Sequence, residues 1–209
     1  MYLPPHFAET DRERLHGFIR AHAFGTLVSV IDGAPFATLL PFMLLDEGDH
    51  GTLVGHVARA NPHAATFDGA HESIALFHGP HAYVSPRWYE TPVAVPTWNY
   101  AVVEAAGRPE RITDRDRVRA ILDSLVATYE AGRPNPWTMD KVPAEFTGKM
   151  VDGIVAFEMP VARLVGKVKM SQNRPAADRA GVRAALSASG HPDDAAVAHE
   201  MDGLEARRG

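Results

Sequence analysis

The order of elements in the sequence predicts a mainly β fold with peripheral helices, arranged as a small antiparallel barrel. Three observations carry this reading. Two β-rich runs flank Asp32-Gly33 within FGTLVSVIDGAPFATLLPFMLL (24–45), and Asp-Gly suits a type I′ hairpin turn, which needs positive φ at both central positions. Two further strand-like runs, TLVGHV (52–57) and SIALFH (73–78), follow with little helix between, which favours an antiparallel meander over βαβ units. The longer helical periods lie outside this run of strands.

Thr10 and Glu13 fit a capping box that opens a short amphipathic helix with Leu15, Phe18 and Ile19 on one face. The hairpin at 24–45 comes next, then the turn EGDHG (47–51) and the strand at 52–57. Asn61-Pro62 reads as an N-cap with Pro at the first helical position, starting a short helix through Phe67. After the strand at 73–78, residues 79–98 are dense in Pro, Trp, Tyr and His and read as a long structured loop. A strand is expected over about 99–107 and a helix from Asp114 to Ala131, where Val118, Ile121, Leu122, Leu125, Val126 and Tyr129 share a face. Residues 140–150 read as a short helix, and GIVAFEM (153–159) and VARLVGKVKM (161–170) as a strand pair broken at Pro160. From Pro175 the tail is Ala-rich and helical, interrupted at Gly190-His191-Pro192.

Composition narrows the function classes. The 209 residues are 45% hydrophobic and 22% charged, ordinary globular usage that can bury a sizeable core. A net charge of −5 argues against a surface coated for nucleic acid, though not against a local basic patch. With no cysteine, disulfides, thiolate catalysis and Cys-built zinc sites are excluded. The first residues, MYLPPHFAETDRER, lack the basic and apolar regions of a signal peptide. No apolar run approaches the roughly 20 residues of a membrane span. A soluble cytoplasmic protein is expected.

Three clusters could carry chemistry. In VGHVARANPH (54–63) an apolar strand stops at an imidazole, a guanidinium and Asn-Pro, with no acidic neighbour in sequence. The backbone N–H groups of a helix start attract anions, and Arg59 could add a bidentate clamp suited to phosphate. The same residues also fit an exposed turn arginine and a plain cap. In FHGPHAYVSPRWYETPVAVPTWNY (77–100) the aromatics could wall a planar ring, with Ser85 and Asn99 as hydrogen-bonding groups, or could be core or interface residues. His78 and His81 lack zinc-type spacing, so no metal is expected. Segment 163–183 holds six basic residues and one acidic one. Strand alternation puts Arg163, Lys167 and Lys169 on one face, a solvated ridge or a ligand or DNA contact. No catalytic triad, P-loop, dinucleotide-binding glycine motif or paired carboxylate is visible.

Taken together, MYLPPHF, ATLLPF (37–42), GHVARANPH (55–63), FHGPHAYVSPRWY (77–89), VPTWNY (95–100) and KMSQNRPAADRAGV (169–182) resemble, in order, the PaiB family of FMN-binding negative transcriptional regulators, within the flavin-binding split-barrel superfamily. The resemblance covers about residues 1–185. It implies an FMN-binding split β-barrel of six strands over residues 1–170, carrying helical insertions, followed by an α-helical C-terminal segment at 171–209. It further implies a homodimer with FMN at the subunit interface. By analogy with the layout of pyridoxamine-phosphate oxidases, Arg59 and Asn61 would hold the phosphate and His56 would lie near the ribityl chain. Thr38, Leu39 and Pro41 would line the ring edge through their backbone. Trp98, Asn99, Lys169 and Gln172 would reach the flavin, in part from the second subunit.

Two functions fit these features. One is a regulatory flavoprotein of the PaiB type, with possible DNA contact through the 163–183 basic segment. The other is a flavin-dependent oxidoreductase that does not bind DNA, since flavin chemistry needs little from the protein beyond positioning. A haem-binding barrel using His78 or His81 ranks below both.

Overall fold

The structure, a computed structural model, describes residues 1–207. Arg208 and Gly209, at the end of the expected C-terminal helical segment, lie outside the described residues. Among the described residues nine strands and five α-helices form: β1 (Ala8–Glu9), α1 (Arg12–Ala21), β2 (Phe24–Ile31), β3 (Ala34–Pro41), β4 (Met43–Leu45), β5 (Thr52–Ala58), β6 (Ser73–Val84), β7 (Thr97–Gly107), β8 (Glu110–Arg111), α2 (Arg115–Glu130), α3 (Ala144–Asp152), β9 (Ile154–Lys169), α4 (Ala176–Ala188) and α5 (Pro192–Ala206). Hydrogen-bonded neighbours follow the order β3-β2-β6-β7-β9-β5-β4, with β1 and β8 added on β9. Every ladder whose register is described is antiparallel. The path stays open, with β3 and β4 as its ends.

Local sequence rules account for most boundaries. Asp32 and Gly33 take φ of 51° and 78°, and Ile31 pairs with Ala34 across them, the two-residue turn that Asp-Gly favours. Asp114 caps α2 by accepting from the backbone N–H groups of Asp116 and Arg117. At α1 the cap falls one residue later than the Thr10–Glu13 box predicts. Asp11 accepts from the Arg14 N–H, while Glu9 accepts from those of Thr10 and Asp11.

Proline misled the strand boundaries twice. Residues 79–98 read as a loop dense in Pro, yet β6 continues through Pro80 to Val84, with Ala82 and Val84 buried between exposed His81 and Tyr83. Proline's fixed φ is compatible with extended chain, so an alternating burial pattern can continue through it. Likewise β9 is one strand of 16 residues. Pro160 is exposed and meets Thr52 on the last rung of the ladder with β5, where a missing donor costs little.

Contacts divide the chain into two compact units, one of Met1–Phe18, Phe77–Glu104 and Val165 onward, the other of Ile19–Leu76 and Ala105–Leu164. The core of the first packs α4 and α5, through Val182, Leu186, Val197 and Met201, on Ala82, Val84, Ala101 and Met170. Buried Asp178 ties α4 to the 86–91 segment by accepting from the Glu90 and Thr91 N–H groups and the Thr91 hydroxyl. In the second unit Phe157 has no exposed surface and its ring lies 4.4 Å from that of Phe67 and 6.2 Å from that of Phe42. Gly55 leaves room there, since a Cβ would stand 3.2 Å from the Phe157 ring. On the other side of β5, Val54 packs with Val118 and Ile121 of α2.

Candidate functional site

The expected site residues fall into two groups, one in each unit. In the second unit the strand β5 ends at Ala58, and Arg59 follows at the surface. Its Nε donates to the Asp152 carbonyl at 2.5 Å and its Nη2 to the Ile154 carbonyl at 3.0 Å. These bonds anchor the guanidinium on backbone without neutralising it, because carbonyl oxygens carry no net charge. Arg59 lines a pocket of about 240 Å³ together with Arg111, Thr113, Arg115 and Asp152. Asp152 pairs with Arg115 at 2.5 Å. Three arginines and one carboxylate therefore line the pocket, an excess of positive charge that suits a phosphate dianion.

The turn after Arg59 departs from expectation. Pro62–Thr66 is a 3₁₀ turn of 5 residues, and its first N–H groups are already used. The Asn61 side chain accepts from the His63 N–H at 3.0 Å, the Asn61 carbonyl accepts from the Ala64 N–H, and Pro62 has none. The short turn caps itself, so the free backbone donors expected there do not exist. Charge at this place comes from arginine side chains instead. Arg111 reaches the turn directly, donating through Nη2 to the Ala64 carbonyl at 2.9 Å.

Asn61 has a second role. Its Nδ2 donates to Thr38 Oγ1 at 3.1 Å, and that hydroxyl lies 2.6 Å from His63 Nδ1. His63 Nε2 lies 3.1 Å from Ser29 Oγ, which lies 2.7 Å from Ser73 Oγ. The result is a continuous polar chain running Asn61–Thr38–His63–Ser29–Ser73 through the interior. Burial lowers the His63 pKa from its ordinary 6.5, and a neutral imidazole meets one hydroxyl as donor and the other as acceptor in either tautomer. Neither His63 nor the two serines stood out in the sequence. The available signal was Ser29, polar at the inward phase of a strand whose other inward positions include Leu27.

Strand alternation separates the remaining predicted residues of this group. Thr38 lies on the inward face of β3, whereas Leu39 points outward and is 64% exposed. Pro41 shares the outward face with Leu39 and pairs with Phe24. His56 lies on the face of β5 opposite Gly55, against a cavity lined by α2 and α3 residues. It is not brought to Thr38 or Asn61.

In the first unit Ser85 caps a short turn by accepting from the Arg87 N–H at 3.3 Å. Asn99 is fully buried, with Oδ1 accepting from the Ser171 hydroxyl and Nδ2 directed to Met201 sulfur. Gln172 closes the turn after β9, accepting from the Met170 N–H and donating to the Val168 carbonyl. Lys169 donates to Thr97 Oγ1 and to the Trp98 carbonyl. Burial, followed by the nearby Lys167 and Arg174 charges, holds its pKa below the usual lysine range. Lys167 is buried, donates to the Tyr2 carbonyl and lies over the Tyr2 and Tyr100 rings. Much of the basic ridge is thus occupied within the chain. Trp98 remains open, about half exposed, with the His81 and Tyr83 rings about 6 Å away.

Among the described residues no helix is long and apolar enough to cross a membrane. A family model described as "Putative FMN-binding domain" matches residues 1–163. The chain is 34% identical over 97% of its length to 97% of the Bacillus subtilis protein named protease synthase and sporulation protein PAI 2. Among solved structures it is similar to an FAD and heme binding protein from Mycobacterium smegmatis, with a TM-score of 0.61 at 21% identity over 88% of this chain and 80% of the other. It is also similar to the flavocytochrome Anf3 from Azotobacter vinelandii, with a TM-score of 0.59 at 20% identity over 78% of this chain and 69% of the other.

Proposed function

The chain belongs to the FMN-binding-domain family that includes PAI 2, and from that premise we propose that it is a homodimeric flavoprotein with a regulatory role, holding FMN at the subunit interface. Its fold is the split β-barrel that the sequence resemblance implies. The observation that carries the proposal is the pocket lined by Arg59, Arg111 and Arg115 with a single carboxylate, Asp152. These residues fit a ribityl phosphate, because a dianion offset there needs no backbone nest. In this reading Arg59 and Arg111 hold the phosphate, with Asn61 and Thr38 kept in place by the buried polar chain. The outward edge of β3 at Leu39 and Pro41 meets the ring system. Trp98, with Lys169 fixed behind it, covers the ring from the partner subunit. Ser85, Asn99 and Gln172, each engaged within its own chain, hold that surface in shape. Bound FMN supplies redox chemistry at its ring, and the protein supplies position and charge.

The dimer is supported by an apolar outward face on β2 and β3. Phe24, Val30 and Leu39 are 66%, 58% and 64% exposed, and Thr26↔Leu39, Val28↔Ala37 and Val30↔Pro35 stand opposite one another on it. A contiguous apolar sheet face of this kind marks an interface. A DNA contact through 163–183 has to break the bonds that Lys167 and Lys169 make within the chain. The regulatory role is therefore assigned to flavin binding and dimerisation.

Arg59→Ala is expected to weaken FMN binding by about 10–100-fold and to leave riboflavin binding nearly unchanged, read by quenching of flavin fluorescence. Equal weakening of both ligands rejects the phosphate assignment. Leu39→Lys is expected to shift the protein from dimer to monomer in sedimentation experiments and to lower FMN affinity with it. A variant that stays dimeric places the interface elsewhere.

A further inference from the structure

A second cavity in the same unit has a different chemistry. It encloses about 360 Å³ between α2, α3 and the chain from Trp137 to Val142, the low end of the size range of small-molecule sites. Its walls include Leu122, Val126, Trp137, Phe146 and Met150. Trp137, Phe146 and Met150 are 40%, 56% and 55% exposed, an unusual concentration of large apolar surface left open to solvent. No charged side chain lines it. Thr147, which does, is buried and donates its hydroxyl to the Pro143 carbonyl at 3.3 Å.

Among the described residues that line the cavity, His56 is the one whose side chain has a buried polar atom without a partner. Its Nδ1 is buried with no hydrogen-bond partner, a condition that costs about 1–3 kcal/mol in general and calls for a complement. Burial lowers its pKa from 6.5, which favours the neutral ring. A charged ligand finds no counter-ion here, which excludes the phosphate end of a nucleotide. A molecule with an apolar aromatic body fits the walls. A hydroxyl on that body both donates and accepts, so it satisfies either nitrogen of the imidazole in either tautomer.

We infer that this cavity is a binding site for a small uncharged aromatic alcohol of one or two fused rings, with His56 bonding the hydroxyl and Trp137, Phe146 and Met150 enclosing the ring. The site adjoins the arginine pocket, with which it shares Ile154, and differs from it in carrying no arginine; it does not depend on the flavin assignment. The test is calorimetric titration of the 209-residue protein, with and without added FMN, using 2-naphthol and naphthalene as probes. Saturable binding is expected, with 2-naphthol held about tenfold more tightly than naphthalene. His56→Leu should erase that preference while retaining naphthalene. Met150→Trp should fill the cavity and abolish binding of both probes, with flavin affinity unchanged. Absence of saturable binding, equal affinity of the wild-type protein for the two probes, or probe affinity unmoved by Met150→Trp overturns the inference. Competition between FMN and 2-naphthol also overturns it, since the cavity would then be part of the flavin site.

Discussion

Phe157→Ala is expected to lower the free energy of unfolding by about 3–5 kcal/mol, read from the urea midpoint at unchanged slope. Phe157 has no exposed surface, and its ring touches those of Phe67 and Phe42 while facing the space that Gly55 leaves open. Removing the ring loses its transfer free energy and opens a cavity that rigid neighbouring rings cannot fill. The β5–β9 ladder that carries Phe157 opposite Gly55 also sets the chain that leads into Arg59. FMN affinity should therefore fall with stability in this variant. A loss below about 1 kcal/mol would mean that the site collapses around the cavity.

His63→Leu is expected to cost about 2–4 kcal/mol, because it deprives two hydroxyl groups of their imidazole partner inside the protein. Thr38 retains Asn61 and Ser29 retains Ser73, which keeps the loss below that of a fully orphaned network. The native chain should also carry a pH signature. His63 and His56 have folded pKa values lowered from 6.5 by burial, so below that pH the unfolded state binds protons more readily than the folded state. The stability contributed by keeping these rings neutral is complete above about 6.5 and is lost progressively as pH falls toward the folded values. Urea midpoints between pH 8 and pH 5 should decline over this range, and His63→Leu should show a shallower decline. An equal slope in wild type and variant would show that His63 does not supply the dependence.

Local chemistry legible in the sequence carried much of the architecture. Asp32-Gly33 specifies its turn through backbone conformation alone, and the α2 helix follows from Asp114 and its apolar stripe. The ordered motifs from MYLPPHF to KMSQNRPAADRAGV pointed to the family. The errors have physical causes. Pro160 looks like a breaker and the Pro-rich stretch from residue 79 like a loop, but extended chain accommodates the φ of Pro80 and Pro160, and only the ladder shows whether a missing donor matters. The capping box at Thr10 lost to Asp11 because both side chains can serve the same helix start. Asn61-Pro62 announced a helix N-terminus with donors to spare, yet a turn of 5 residues uses its donors on its own cap.

The site divides along the same line. Arg59 could be singled out from a run of residues, because an arginine without an acidic neighbour is visible in sequence. Its companions could not. Arg111 and Arg115 stand about fifty residues away, and Ser29, Thr38, His63 and Ser73 meet only when β2, β3 and β6 pair in one register. By itself the sequence determined most of the element types, the Asp32-Gly33 turn, the family and a guanidinium placed to meet an anion. Only the tertiary structure decided which buried hydroxyls share one imidazole, and that His56 faces an apolar cavity instead of the Thr38–Asn61 network. Periodicity assigns a side chain to a face of its own strand, whereas its partners depend on which distant segment the ladder brings opposite.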